Sequence, residues 1–385
     1  MHIAFLTPEY PHPKIVSSAG IGTSVKNLVD ALVKKGNEVS VFVYQQNTSE
    51  VFKQDNITIH LIAKKRFKIC TWYYYRKHVQ KYITTIISKE HISIIEAPDW
   101  TGITAFMRFR IPLVIRFHGT DAYFCKLEQR KQKFKNFVFE KLALIGATAY
   151  ISPTQYAKKE TAKLFSLNED KISVIPNGID IEVFNNEEPN QFIEKTLLYI
   201  GTIIRKKGVF DLVGAFNNII EEAPDATLIL IGSDSADVET GSSSTYQLVQ
   251  KKLSEKAKLN VKYLGKVPYS KVVTYIKKAH ICVFPSYAET FGMVTVECMA
   301  MHKPVVNTNI GWANEIIDDD INGYLIHPSE TMVYKDRILT LFKDKPLCLN
   351  VGKSARQKAE STFNIDIIAE KNIHFYRSVI SESKY

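Results

Sequence analysis

The sequence predicts an α/β protein of two domains, each a parallel sheet covered by helices. Three observations carry that prediction. Short apolar runs alternate with stretches of helical periodicity along most of the chain, as repeated strand–helix–strand units do. The alternation breaks at a polar, aperiodic run, Asn185-Asn-Glu-Glu-Pro-Asn, and restarts at Thr196. A chain of 385 residues, 45% hydrophobic and 23% charged, is long enough for two cores of ordinary size. The expected domains are 1–188 and 189–362, with a helical last segment over 363–385.

Taken in order, Ile3-Ala-Phe-Leu reads as a buried strand. Val25, Leu28, Val29 and Leu32 follow at helical spacing, and Gly36 suits the end of that helix. Val39-Ser-Val-Phe-Val is the second strand, residues 57–62 and 91–96 are the next two, and Pro112-Leu-Val-Ile-Arg-Phe ends in His118-Gly119. Ala147-Thr-Ala-Tyr-Ile-Ser leads to a helix from about Gln155. Lys171-Ile-Ser-Val-Ile then runs into Asn177-Gly178, two residues that tolerate positive φ in a turn. The second domain repeats the alphabet. Its strands are Thr196-Leu-Leu-Tyr-Ile, Thr227-Leu-Ile-Leu-Ile, Val261-Lys-Tyr and Ile281-Cys-Val-Phe, and helices start near Val209 and Met293.

Several function classes are excluded or weakened. A dinucleotide fingerprint needs Gly-x-Gly-x-x-Gly after the first strand. Gly20 and Gly22 are present but Val25 fills the third position, which counts against a dehydrogenase. The five cysteines are scattered, odd in number and without metal-ligand spacing, as expected for reduced thiols in a cytosol. No signal peptide is expected, because Met1-His-Ile-Ala-Phe-Leu leads straight into Thr-Pro-Glu, and no apolar run is long enough for a bilayer. A net charge of +10 points to an anionic partner: nucleic acid, phosphorylated substrate or membrane surface. A nucleic-acid-binding protein is a rival reading, but no recognition helix or RNA-binding motif supports it.

The chemistry concentrates in residues 284–300. Glu289 lies in a loop between a strand and a helix, where open α/β sheets bind ligands. The helix start after Gly292 suits a phosphate. Two carboxylates, Glu289 and Glu297, can accept hydrogen bonds from hydroxyls. Lys206-Lys207-Gly208 occupies a second strand-to-helix loop. A lysine there can reach a diphosphate, and the glycine lets the backbone come close. Asp318-Asp319-Asp320 is read as a solvated loop before an Asn322-Gly323 hairpin-type turn and not as a metal site.

Glu289 followed by seven residues and Glu297, then Ala300, Pro304 and Val305-Val306, resembles the signature of family 4 retaining glycosyltransferases. The loop at Gly20, His118, Asn177-Gly178 and Lys207-Gly208 fall in that family's order, and the resemblance covers nearly the whole chain. Two positions depart from it. Ala19-Gly20 replaces the usual Gly-Gly pair, and Thr202 replaces an arginine whose charge Arg205 or Lys206 would supply.

The resemblance implies the GT-B fold: two Rossmann-like domains facing each other across a cleft, with the C-terminal helix crossing back to the first. It implies a retaining hexosyltransferase that moves a sugar from a nucleotide-sugar, with uracil expected as the base, to a glycan or lipid-linked acceptor in bacterial surface polysaccharide or glycolipid synthesis. Glu289, Lys207 and His118 are the expected catalytic residues. Glu297, Arg205, Lys206, Gly20, Gly292, Phe291, Met293 and Val294 are the expected donor-binding residues. No metal or other cofactor is expected. A nucleotide-sugar epimerase of the same architecture is the rival enzyme. The expected location is cytoplasmic and peripheral on the inner face of the plasma membrane. Residues 64–81 carry seven Lys or Arg and no Asp or Glu, interleaved with Phe67, Trp72 and Tyr73-Tyr74-Tyr75. With Arg130-Lys131-Gln-Lys133-Phe-Lys135 they suggest contact with an anionic membrane surface.

Overall fold

The structure is a computed structural model that describes residues 1–16 and 20–383. The chain divides into two compact units. Unit 1 is Met1–Gly178 together with the segment from Ile365 on, and unit 2 is Ile179–Asn364. Ala19 lies outside the described residues.

Unit 1 holds strands β1 (His2–Thr7), β2 (Glu38–Gln46), β3 (Glu50–Gln54), β4 (Ile57–Ala63), β5 (Ile94–Pro98), β6 (Leu113–Arg116), β7 (Ala149–Ser152) and β8 (Ile172–Val174). They form one sheet in the order β3-β4-β2-β1-β5-β6-β7-β8. Every pairing is parallel except β3 with β4. Its helices are α1 (Gly20–Lys34), α2 (Thr71–Glu90), α3 (Asp121–Leu127), α4 (Phe134–Ile145) and α5 (Gln155–Phe165), followed much later by the C-terminal helix Ile365–Glu382. The period of two along β1 sorts its side chains between two cores. Ile3 and Phe5 pack with Val25, Val29 and Leu32 of α1 and with Ile368, Tyr376 and Val379 of the C-terminal helix. Ala4 and Leu6 face Val79 and Ile83 of α2, Leu144 of α4 and Phe165 of α5.

Unit 2 holds β9 (Thr196–Ile200), β10 (Thr227–Ile231), β11 (Val261–Tyr263), β12 (Ile281–Phe284), β13 (Val305–Asn307) and β14 (Tyr324–Leu325), all parallel, in the order β11-β10-β9-β12-β13-β14. Its helices are α6 (Val209–Glu222), α7 (Thr245–Lys252), α8 (Glu255–Lys258), α9 (Tyr269–Lys278), α10 (Met293–Ala300), α11 (Thr331–Lys343) and α12 (Lys345–Lys358).

Three expectations are corrected. The break expected after residue 188 falls inside unit 2. The polar run there is tied down, because Phe184 sits in the unit 2 core and Asn186 donates to the Met301 carbonyl. Gly178 does not serve a positive-φ turn. A Cβ there would stand 2.5 Å from Ile365 Cδ1 and 2.9 Å from Ile365 Cα, so the glycine is required by close approach to the start of the C-terminal helix. Asn322-Gly323 does not turn a hairpin but leads into β14, which runs parallel to β13.

The C-terminal helix is locked to the sheet of unit 1 by buried polar groups. Arg116 on β6 forms a two-point pair with Glu96 on β5 at 2.7 and 3.0 Å. Tyr376 donates to Glu96 at 2.6 Å, and Arg116 donates to Asn372. All four side chains are buried.

Candidate active site

In unit 2 the two loops singled out by sequence leave neighbouring strands, since β9 pairs with β12. After β9 the chain makes a tight turn, Arg205–Lys207, and enters α6 through Gly208. After β12 it passes Pro285 and Ser286 toward Glu289 and enters α10 through Gly292. Two contacts join the loops. The Tyr287 N–H donates to the Lys206 carbonyl at 2.8 Å. Gly208, at φ 69°, lies so close to Pro285 that a Cβ would stand 1.8 Å from its carbonyl oxygen. These contacts bring the Lys207 ammonium onto the Glu289 carboxylate as an ion pair.

Each side chain of that pair is 22% exposed. Burial, with the Lys206 ammonium beside it, pushes Lys207 down to about 7. The touching Glu289 carboxylate acts the other way and favours the charged form. The pair is therefore a poised cation and anion at the C-terminal edge of the sheet.

α10 has as its N-cap Gly292, at φ 87°, a residue with no side chain of its own to cap the helix. Its first turn thus presents backbone N–H groups and the positive end of the helix dipole. Met293 and Val294 are half-buried there, whereas the Phe291 ring is in the core against Phe363. Any ligand contact by Phe291 must use its backbone. Glu297 follows one turn into α10 and is 3% exposed. Burial pushes its carboxyl up to about 7, opposed by a 2.6 Å hydrogen bond from the Tyr269 hydroxyl at the start of α9.

Arg205 does not point its charge at this pair. It forms a two-point bridge to buried Asp237 at 2.8 Å on both nitrogens and a further contact with Glu239 at 3.0 Å, and it lies over the Phe210 ring. Its guanidinium is engaged in holding the loop after β10.

In unit 1, Gly20 begins α1, and among the described residues nothing lies within 4 Å of where its Cβ would be. One N–H of this first turn is already occupied, because Glu9 accepts from the Gly22 N–H at 2.8 Å. His118 follows β6 at the same sheet edge. Burial and nearby Arg116 push it down to about 3, so it is neutral at physiological pH. Its loop is held from below by Asp99, 1% exposed, which accepts from the backbone of His118 at 2.8 Å and of Gly119 at 3.2 Å.

Sequence reasoning missed Tyr269 and Asp99. Tyr269 gave no signal, being 28 residues from Glu297. Asp99 could have been found as the carboxylate directly after β5. The Asp318–Asp320 run is paired, with Asp318 bonded to Asn322 and Lys358 and Asp320 to Arg337. Among the described residues no cluster of His, Cys, Asp and Glu is arranged to hold a metal.

Residues 18–183 match the family model described as Glycosyltransferase Family 4, and residues 181–358 match that described as Glycosyl transferases group 1. The chain belongs to the family 4 glycosyltransferases of the GT-B fold. This glycosyltransferase is similar to the capsular polysaccharide biosynthesis glycosyltransferase CapM of Staphylococcus aureus, at 24% identity over 94% of this chain and 95% of that protein. Among solved structures it resembles sucrose-phosphate synthase from Thermosynechococcus elongatus, with a TM-score of 0.83 at 20% identity over 99% of both chains. It also resembles Anabaena Alr3699/HepE in complex with UDP-glucose, with a TM-score of 0.74 at 19% identity over 98% of this chain and 100% of that one. Among the described residues no helix is long and apolar enough to cross a membrane.

Proposed function

We propose that this glycosyltransferase moves a hexose from a UDP-sugar to a glycan or lipid-linked acceptor in surface polysaccharide or glycolipid synthesis, with retention and without a metal, in the cytoplasm and peripheral to the membrane. The Lys207–Glu289 pair beside the helix start at Gly292, with Glu297 one turn further on, is the observation that supports it most. A nucleoside diphosphate needs a cation and N–H donors at its phosphates and a carboxylate at its ribose, and those groups share one sheet edge in unit 2. The UDP-glucose complex of the similar Anabaena protein and the capsular role of the S. aureus relative point the same way.

In this reading the donor diphosphate draws the Lys207 ammonium away from Glu289. The phosphates take the α10 N–H groups of Met293 and Val294, and Lys206 adds charge. Glu289 then accepts from hydroxyls of the sugar, and Glu297 from those of the ribose. When the bond from the anomeric carbon to the diphosphate oxygen breaks, its electron pair leaves on the diphosphate. Lys207 and the helix start stabilise that growing charge, which is a large source of rate. The acceptor hydroxyl oxygen forms the new bond on the face the diphosphate leaves, and its proton passes to the departing diphosphate oxygen. His118, neutral and held by Asp99, is assigned to the transferred sugar, and Gly20 to a close backbone approach.

A thermal-shift screen across UDP-, GDP- and ADP-sugars tests the donor, since a ligand of the folded state raises the melting temperature. An assay with donor alone separates transfer from epimerisation. A product with the donor's anomeric configuration, formed in the presence of EDTA, is expected. An inverted product, or activity that Mn²⁺ must restore, would overturn the reading.

A further inference from the structure

The two basic stretches picked out in the sequence lie apart in the chain, and the fold of unit 1 sets their starts side by side. α2 begins at Thr71 and α4 at Phe134. Trp72 of α2 packs on Phe139 of α4 with ring centroids 5.0 Å apart, and the Lys135 ammonium lies 5.5 Å from the Trp72 ring. Arg76, buried, stacks its guanidinium 4.5 Å from the Phe139 ring and donates to the carbonyls of Trp72, Thr101 and Gly102. The junction is therefore rigid.

Around it the surface mixes exposed apolar residues with cations. Phe134 is 81% exposed and Ile69 69% exposed, and each sits between lysines or beside one. Lys64, Lys65, Arg66, Lys68, Lys131 and Lys133 are all exposed in the same two segments. A cavity of about 580 Å³ opens next to them, walled by Trp72 and Tyr75 and rimmed by Lys64, Lys65 and Arg66, with no acidic residue in its lining.

We propose that this face docks on an anionic lipid bilayer, with Phe134 and Ile69 entering the interface and the cavity receiving a lipid phosphate headgroup. The proposal rests on the peripheral location read above and names the surface that would produce it. The charge decides the occupant. A second copy of the chain would bring the same cations against themselves, whereas a phosphate-covered surface neutralises them. Exposed apolar residues among cations suit an interface whose outer layer is anionic and whose inner layer is hydrocarbon. Aromatic rings with one dry and one wet side belong at that depth.

The test uses the full chain and vesicles of phosphatidylcholine with and without phosphatidylglycerol. Sedimentation with the anionic vesicles alone, reversed by salt, is expected. Changing Lys64, Lys65, Arg66 and Lys68 to Gln should weaken partitioning by about fivefold per charge, several-hundred-fold together. Phe134→Ser with Ile69→Ser should weaken it by at least about tenfold at constant charge. All these positions are exposed, so the melting temperature should not move, and UDP binding by calorimetry should be intact. Equal sedimentation with both vesicles, none with either, or unaltered binding by both variants overturns the proposal. So does a concentration-dependent dimer that Phe134→Ser dissolves. Vesicle binding without UDP binding would leave this proposal standing and overturn the donor reading instead.

Discussion

Gly208→Ala probes whether the lysine loop is held in place by its contact with the neighbouring loop. Gly208 has φ 69°, and alanine in that region costs about 1–2 kcal/mol. The new methyl would also stand 1.8 Å from the Pro285 oxygen, where real contacts begin near 3.0 Å, so one loop must retreat by about 1.2 Å. That movement strains the hydrogen bond from Tyr287 to the Lys206 carbonyl, worth about 1 kcal/mol. The total is roughly 3 kcal/mol, which lowers the melting temperature by about 6–12 °C in a unit of this size. Displacing Lys207 by an ångström should cost about a hundredfold in turnover. Gly265→Ala is the matched control, because Gly265 has φ 65° with nothing among the described residues within 4 Å of its Cβ direction and carries the backbone cost alone. Calorimetric melting and UDP titration of both variants measure the difference. If Gly208→Ala melts with Gly265→Ala and binds UDP as the wild type does, the loop contact does not position Lys207.

Three further outcomes are expected. Lys207→Ala should lower kcat more than it raises the donor KM, because the diphosphate gains charge in the transition state; a pure KM effect would limit this lysine to binding. Glu297 is raised to about 7 by burial, so its ionised form, the better acceptor for ribose hydroxyls, fills as pH rises through 7. UDP affinity should climb between pH 6 and 8 and flatten in Glu297→Gln, with proton release seen as buffer-dependent binding enthalpy. His280 is buried with its Nε2 unpartnered among the described residues, its Nδ1 accepting from the Lys195 N–H, and its pKa lowered to about 4 by burial and by Lys303 and Lys345. Its contribution is therefore present above pH 6.5 and lost as pH falls toward 4, up to about 3 kcal/mol, and melting of His280→Gln should lack that acid dependence.

Much of this was readable from residues alone, for physical reasons. Strands such as β1, β9 and β12 are apolar runs because both faces of a parallel sheet are covered. Lys207-Gly208 and Glu289 to Glu297 stood out because they follow such runs. Their mutual contact did not, since it depends on β9 and β12 being neighbours in the sheet. The partner of Arg205 is Asp237 in another loop, so a guanidinium that looked available in sequence is engaged in structure. β3 was missed because Glu50–Gln54 is an edge strand of mostly exposed residues and lacks an apolar signature. The domain break was misplaced because polarity marks exposed backbone, and Asn186 is polar yet buried with its amide bonded.

The C-terminal helix has a consequence for how the chain is made. Unit 2 is continuous in sequence and complete when Asn364 leaves the ribosome, so it can fold while synthesis continues. Unit 1 begins first and finishes last. Until Tyr376 emerges, the Glu96–Arg116 pair has lost its hydroxyl donor, and Ile3, Phe5, Val25 and Val29 lack the apolar face of the helix that covers them. The nascent first unit must wait through all of the second with part of its core in water. A chain ending before Ile365 should for that reason collect in the insoluble fraction, whereas Ile179–Asn364 alone should not.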